Sequence, residues 1–199
     1  MGKFDSFHKH LLSVFAQLPG VLQIELRESF HVIDYKGQSY VIQNFGQDNT
    51  PSVILVDGVV SIIDNSERDK NFEITNFKKK TGFIPIDGKK GLLNLEEAQC
   101  DFAFFDEHDL CFIEFKLNAT SLQSSAITKN RWKSFNQLSN TVNLFDQKLN
   151  KNYEGLAREA YVCTPETYPR DDNEWKSLRV AFLEKHGVPL YEENHKIYK

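Results

Sequence analysis

Asp101, Glu114 and Lys116 are the residues of this 199-residue chain whose types and spacing best suit chemistry. Asp101 interrupts the apolar run Cys100-Asp101-Phe102-Ala103-Phe104-Phe105, and Glu114 and Lys116 interrupt Leu110-Cys111-Phe112-Ile113-Glu114-Phe115-Lys116-Leu117. The polar cluster Asp106-Glu107-His108-Asp109 joins the two runs, which therefore read as strands connected by a tight turn. A charge within a strand buried on both faces costs free energy unless it is paired or holds a ligand.

The register follows from the turn. A two-residue loop at Glu107-His108, or a four-residue loop from Asp106 to Asp109, opposes residues whose numbers sum to 215, so Asp101 faces Glu114 and Ala103 faces Phe112. Opposed side chains have Cβ atoms about 4.5–5.5 Å apart. Two carboxylates so placed need a proton or a cation between them. Lys116, two residues beyond Glu114, shares its face. An odd-length loop would send Asp101 to the opposite face. The arrangement suits a hard divalent cation, Mg²⁺ with Mn²⁺ as substitute, held by Asp101, Glu114 and the Phe115 carbonyl. Such an ion polarises a phosphoryl oxygen and acidifies a bound water. Lys116 would orient or deprotonate that water, or stabilise negative charge developing on phosphorus. The chemistry is phosphodiester hydrolysis.

The elements that position these groups are legible as patterns. Phe4, Phe7, Leu11, Val14, Phe15 and Leu18 recur at helical spacing and predict a helix over 4–18, ended by Pro19-Gly20. A β-rich stretch follows, with strands at Val21–Leu26, Phe30–Tyr35, Tyr40–Gln43, Ser52–Val56 and Val59–Ile63, the last two around the hairpin signal Asp57-Gly58. Residues 65–70 read as a loop. Pro85 makes 81–88 an edge strand or an extended loop, with Lys78-Lys79-Lys80 and Lys89-Lys90 as gatekeepers, or alternatively as phosphate contacts. After the hairpin, Arg131, Phe135, Leu138, Val142, Phe145 and Leu149 form the stripe of a long helix that Trp132 widens. Tyr161–Thr164 is a short strand, and Asp171 or Asp172 caps a last helix closed by Gly187. Residues 188–191 and 196–198 read as strand or tail. The second half is thus hairpin, long helix, strand, helix: an α/β (α+β) fold with a mixed sheet. The expected organisation is one domain, with a helix over 1–20, a β-rich extension over 21–77 and a core over 78–199.

Composition excludes several classes. Hydrophobic content of 40% and charged content of 26% are those of a globular protein, and the longest apolar runs are strand-length, so no membrane span is expected. The first eight residues lack the apolar core of a signal peptide, and Cys100, Cys111 and Cys163 form no C-x-x-C pair; buried, reduced thiols in a cytoplasmic protein are the expectation. Net charge is −4, but between Lys116 and Lys151 six cations stand against Asp146 alone, a local +5. A confined phosphate-binding surface fits that asymmetry, with Lys129, Arg131 and Lys133 as its candidate contacts.

Asp101, Ile113-Glu114-Phe115-Lys116-Leu117 on the next strand, and the long helix after them resemble the PD-(D/E)xK nuclease superfamily. The resemblance covers roughly residues 92–164. It implies a restriction-endonuclease-like core, a mixed sheet flanked by helices, with Mg²⁺ held by Asp101 and Glu114 and with a catalytic Lys116. The family's first helix often contributes another acid. Here its only acid is Asp5, and Glu28, Glu96 and Glu97 stand as alternatives. The family's Pro before the Asp is Cys100 in this chain. Gln137 is similar to a Gln found after the lysine in some branches, and adds a candidate nucleic-acid contact. The implied partner is nucleic acid, DNA ahead of RNA, and a homodimer would supply two sites for cutting both strands. The alternative is a catalytically inactive member of the fold, or another α/β interaction module that binds through its β-rich half.

Overall fold

The computed structural model describes residues 2–46, 50–76, 80–93 and 97–197. Lys78, Lys79, Glu96 and Tyr198 lie outside them. The described residues form a mixed α/β fold.

Helix α1, Lys3–Val14, buries Phe4, Phe7 and Leu11. It stops short of the expected Leu18, because Pro19 starts a second turn of helix, α2 (Leu18–Val21), instead of ending the first. A proline in a first helical turn loses no hydrogen bond. Strands β1 (Gln23–Glu25), β2 (Ser29–Asp34), β3 (Ser39–Asn44), β4 (Ser52–Val56) and β5 (Val59–Ile63) follow. Asp57 and Gly58 both take positive φ, 57° and 77°, the conformation a two-residue hairpin loop requires. The expected loop at 65–70 contains a turn of helix, α3 (Asn65–Arg68), because the Asp64 side chain accepts from the Glu67 amide at 3.0 Å and caps it. Then come β6 (Asn71–Thr75), β7 (Thr81–Pro85), β8 (Phe102–Phe105), β9 (Asp109–Phe115), α4 (Ser124–Lys148), β10 (Ala157–Cys163), α5 (Asn173–His186), β11 (Leu190–Tyr191) and β12 (His195–Ile197). Asp172, not Asp171, caps α5, and Gly187 closes it at φ 64°.

The strands make two six-stranded sheets, ordered β1-β7-β8-β9-β10-β11 and β12-β6-β2-β3-β4-β5. The second carries only strands from the two ends of the chain, and β1 belongs to the first. The two sheets thus do not divide at residue 77, where the sequence suggests a boundary.

Pro85 sits inside the first sheet, not on its edge. The Ile86 amide donates toward Asp101 in the β8 direction, so the nitrogen of Pro85 points the other way, where β1 pairs only with residues 81 to 83. The missing N–H faces no strand there.

Helices cover one face of the first sheet. Phe7 and Leu11 of α1, Leu138, Val142 and Phe145 of α4, and Leu178 and Phe182 of α5 share a core with Ala103, Leu110 and Phe112. The other face carries the second sheet: Phe30, Val32, Phe72 and Ile74 pack on Phe102, Phe104, Cys111 and Ile113. The expected sheet flanked by helices is therefore a helix layer, a sheet and a second sheet. Strands β2 and β6 alternate apolar residues toward that interface, and β2 to β5 pair in sequence as an antiparallel meander that flanks the first sheet. Among the described residues no helix is long and apolar enough to cross a membrane.

Candidate active site

The hairpin has the register the turn predicts. Phe102 pairs with Ile113, Ala103 with Phe112, Phe104 with Cys111 and Phe105 with Leu110. The Asp106 carboxylate accepts from the amides of His108 at 2.6 Å and Asp109 at 2.9 Å, which closes the loop at Glu107-His108. Leu110 and Phe112 face the helices, whereas Cys111, Ile113 and Phe115 face the second sheet. Alternation therefore sends Glu114, and Lys116 beyond it, toward α4.

Asp101 is bound at every polar group of its backbone. Its N–H donates to the Ile113 carbonyl at 3.0 Å, its carbonyl accepts from Ile86 at 2.9 Å, and its Oδ2 accepts the Phe115 amide at 2.5 Å. The charge of the Asp101 carboxyl acts on that of Glu114. Glu114 is 1% exposed, and its Oε2 is buried with no partner. Lys116 Nζ donates to Glu114 Oε1, to the Phe115 carbonyl at 3.2 Å and to Gln137 Oε1 at 3.1 Å. Helix α4 fixes this end of the hairpin: Gln137 Nε2 donates to the Gln99 carbonyl at 2.9 Å, and Thr141 Oγ1 accepts the Cys100 amide at 2.9 Å.

Burial pushes the Asp101 carboxyl up to about 6; the Phe115 amide and Lys116 oppose the rise, and the charge of Asp34 adds to it. Burial, reinforced by the charge of Asp101, pushes Glu114 well above the usual carboxylate range against the pull of Lys116. Without a bound cation the pair therefore retains a proton.

That shift has a measurable consequence. Between about pH 4 and pH 6 the unfolded chain ionises residue 101 while the folded chain keeps its proton, so the shift costs stability as pH rises, reaching about 3 kcal/mol above pH 6. Asp101→Asn keeps an oxygen for the Phe115 amide and cannot ionise. In EDTA the variant is expected to match the parent near pH 4 and to be the more stable at pH 8 by up to that amount, read by urea unfolding. A variant less stable than the parent at pH 8 would show Asp101 to be a structural partner instead.

The residues fit a divalent cation in donor chemistry: two electrostatically coupled carboxyls, the Phe115 carbonyl sharing the Lys116 ammonium with Glu114, and one carboxylate oxygen without a donor. The set stops there. Among the described residues no three His, Cys, Asp or Glu side chains come close enough to ligate one ion together. Glu28 and Glu97 are exposed and complete no such set, and Glu96 is not described.

The expected phosphate contacts separate. Lys129 and Lys133 are exposed on α4, and Lys133 lies one turn before Gln137. Arg131 is not a surface cation: it is 1% exposed and bound to Glu192, Asp172 and the Pro169 carbonyl. It occupies the apolar stripe of α4, and a guanidinium there needs buried anions. Trp132 points outward, 47% exposed, and does not widen that stripe. Gln137 is buried against Lys116, so it positions the ammonium and offers no free surface.

No family model, no curated protein and no solved structure matches the chain.

Proposed function

We propose that this protein is a Mg²⁺-dependent phosphodiesterase, a nuclease of the PD-(D/E)xK type acting on DNA in preference to RNA, with Asp101, Glu114 and Lys116 as its working groups. One observation carries the reading: a carboxyl pair and an ammonium converge at one end of a hairpin, with a buried carboxylate oxygen left without a donor. Asp101, Glu114 and the Phe115 carbonyl would hold the ion. A bound Mg²⁺, or Mn²⁺ in its place, supplies Lewis acidity at phosphorus and an acidified water. Asp101 is oriented by the Phe115 amide, so its free oxygen has a defined direction. Lys116 and Gln137 act together: the amide oxygen of Gln137 holds the ammonium near the carboxyls, where it stabilises an anionic phosphorane-like charge. Burial of Glu114 excludes bulk water from the pair.

The rival reading is an inactive interaction module. It is favoured by the Lys116 ammonium, which already sits on three protein oxygens. The test is incubation of the purified protein with supercoiled plasmid, linear duplex, single-stranded DNA and RNA in Mg²⁺, Mn²⁺ or EDTA. Metal-dependent cleavage of DNA is expected. Intact substrates in Mn²⁺, together with no heat on Mn²⁺ titration, would leave the interaction module.

The substrate path follows from the same geometry. Lys129 and Lys133 flank the exposed Trp132 on the turns of α4 that lead to Gln137, a cationic and aromatic surface suited to a phosphate backbone. Changing both lysines to Glu is expected to weaken DNA binding roughly tenfold at low salt, with the deficit shrinking as salt rises. Fluorescence anisotropy measures it, and Mn²⁺ affinity should not move.

A further inference from the structure

The two sheets end in four edge strands, and three of these are short: β1 has three residues, β11 two and β12 three. Strand β12 also turns a charge inward, since Lys196 pairs with Asp109 at 3.2 Å. Short strands and inward charges keep a sheet edge from pairing with another chain. Strand β5 has neither device. Its five residues, Val59-Val60-Ser61-Ile62-Ile63, hold an unbroken register with β4, and among the described residues no strand pairs with its other side. Four of the five are β-branched and apolar, and none is charged or proline. Val59, Val60 and Ile62 are 65%, 63% and 67% exposed.

The Asp57-Gly58 loop fixes which backbone groups that edge offers. A two-residue loop makes its flanking residues, Val56 and Val59, a hydrogen-bonded pair, and such pairs then recur at every second position. Ser61 opposite Ile54 and Ile63 opposite Ser52 are therefore bonded to β4, whereas the N–H and C=O of Val60 and Ile62 point to the free edge. The side chains of Val60 and Ile62 share a face with Leu55, itself exposed. Ile63 packs with Ile42 and Ile54 on the other face, which holds the strand in place.

We infer that β5 is a dimer interface, pairing antiparallel with β5 of a second copy of this chain about a two-fold axis through Ser61. Val60 of one copy then opposes Ile62 of the other, in both directions, and each such pair exchanges both of its N–H···O bonds. These are the residues whose backbone groups face the free edge. Val59 opposes Ile63, so every cross-strand pair off the axis joins two β-branched apolar side chains, which fit a pleated surface. Ser61 meets Ser61. The strand is thus complementary to itself: its pattern of two apolar residues, serine and two apolar residues reads the same from either end, as an isologous contact requires. Pairing joins the second sheets of two copies edge to edge. The inference stands apart from the chemistry proposed for Asp101, Glu114 and Lys116.

Sedimentation equilibrium of the full chain tests this. A contact of one short strand is smaller than a standard interface, so a reversible dimer dissociating at about 1–100 µM is expected. Ile62→Lys should raise the dissociation constant about tenfold or more and leave the melting temperature in dilute solution unchanged, because the side chain it replaces is exposed. Val60→Lys repeats the test at the other half of the pair. Cysteines read the register. Opposed residues of a non-hydrogen-bonded pair have Cα atoms about 4.5 Å apart, within reach of a disulfide. Ser61→Cys should therefore give a disulfide-linked dimer on mild oxidation of the folded protein, and none in urea. Two Val59→Cys chains hold their thiols about 13 Å apart along the strands and should not cross-link. A wild type that stays monomeric at about 100 µM, a dimer that both lysine variants keep, or cross-linking at position 59 as fast as at 61 overturns the inference. Open-ended aggregation in place of a discrete dimer, or failure of both lysine variants to fold, overturns it too. None of these results bears on metal binding or cleavage, which are read separately.

Discussion

Lys116→Met is expected to lower metal-dependent DNA cleavage by about 10²–10⁴-fold while Mn²⁺ binds at least as tightly as before. The two effects separate because the ammonium has two relations to the centre. In the metal-free protein it sits on Glu114 Oε1, the Phe115 carbonyl and Gln137 Oε1, and the first two of these belong to the proposed ligand set. A divalent ion must compete with it for those oxygens. Methionine fills a similar volume without charge, so the ion enters unopposed, but the ammonium's share in stabilising the charge that develops on phosphorus is lost. Its side chain is 13% exposed, so the ammonium is held by protein and not by solvent, and its removal is felt. The measurements are the single-turnover cleavage rate at saturating Mg²⁺ and calorimetric Mn²⁺ affinity. Cleavage equal to wild type would remove Lys116 from the chemistry. Loss of stability in EDTA with no change in metal affinity would make the Glu114–Lys116 contact a structural ion pair, the arrangement an interaction module would have.

Local signals in the sequence specify the hairpin, and they do so because its determinants are close together in the chain. Asp106 closes a two-residue loop with its own side chain, and the alternation of Leu110, Cys111, Phe112 and Ile113 assigns the faces. The parallel return from β9 through α4 to β10 is legible for the same reason, as a helix between two apolar runs. Layer order is not. Phe30, Val32, Phe72 and Ile74 have the periodicity of any half-buried strand, and only the partner surface of Phe102, Phe104 and Ile113 decides that they stack on the first sheet. Pro85 marks an edge by rule, yet the edge that matters is the early end of β1, seen only once the sheet is assembled.

Arg131 shows how far charge counting can mislead, and its replacement is expected to cost more stability than any surface lysine. Its Nε and one terminal nitrogen hold Glu192 bidentately at 3.0 and 2.7 Å, and its other nitrogen donates to Asp172 at 2.6 Å. Asp172 also caps α5 by accepting the Trp175 amide at 2.7 Å, and the guanidinium lies over the Trp175 ring. One side chain therefore joins α4, the start of α5 and the segment after β11. Glu192 is itself buried, with Thr164 Oγ1 donating to it at 3.1 Å, so Arg131→Ala leaves an anion in the interior without its counter-charge. Breaking a buried pair from one side costs about 3–5 kcal/mol. Urea unfolding at pH 7 should show that loss, and Arg131→Met combined with Glu192→Leu should recover much of it, since two apolar side chains of similar volume leave no orphaned charge. A surface phosphate contact would behave in the opposite way: the alanine variant would keep its stability and lose affinity for DNA with a shallower salt dependence. With the guanidinium 1% exposed and all three of its nitrogens engaged by protein oxygens, the stability loss is the expected outcome, and of the three candidate phosphate contacts on α4 only Lys129 and Lys133 stay on the surface.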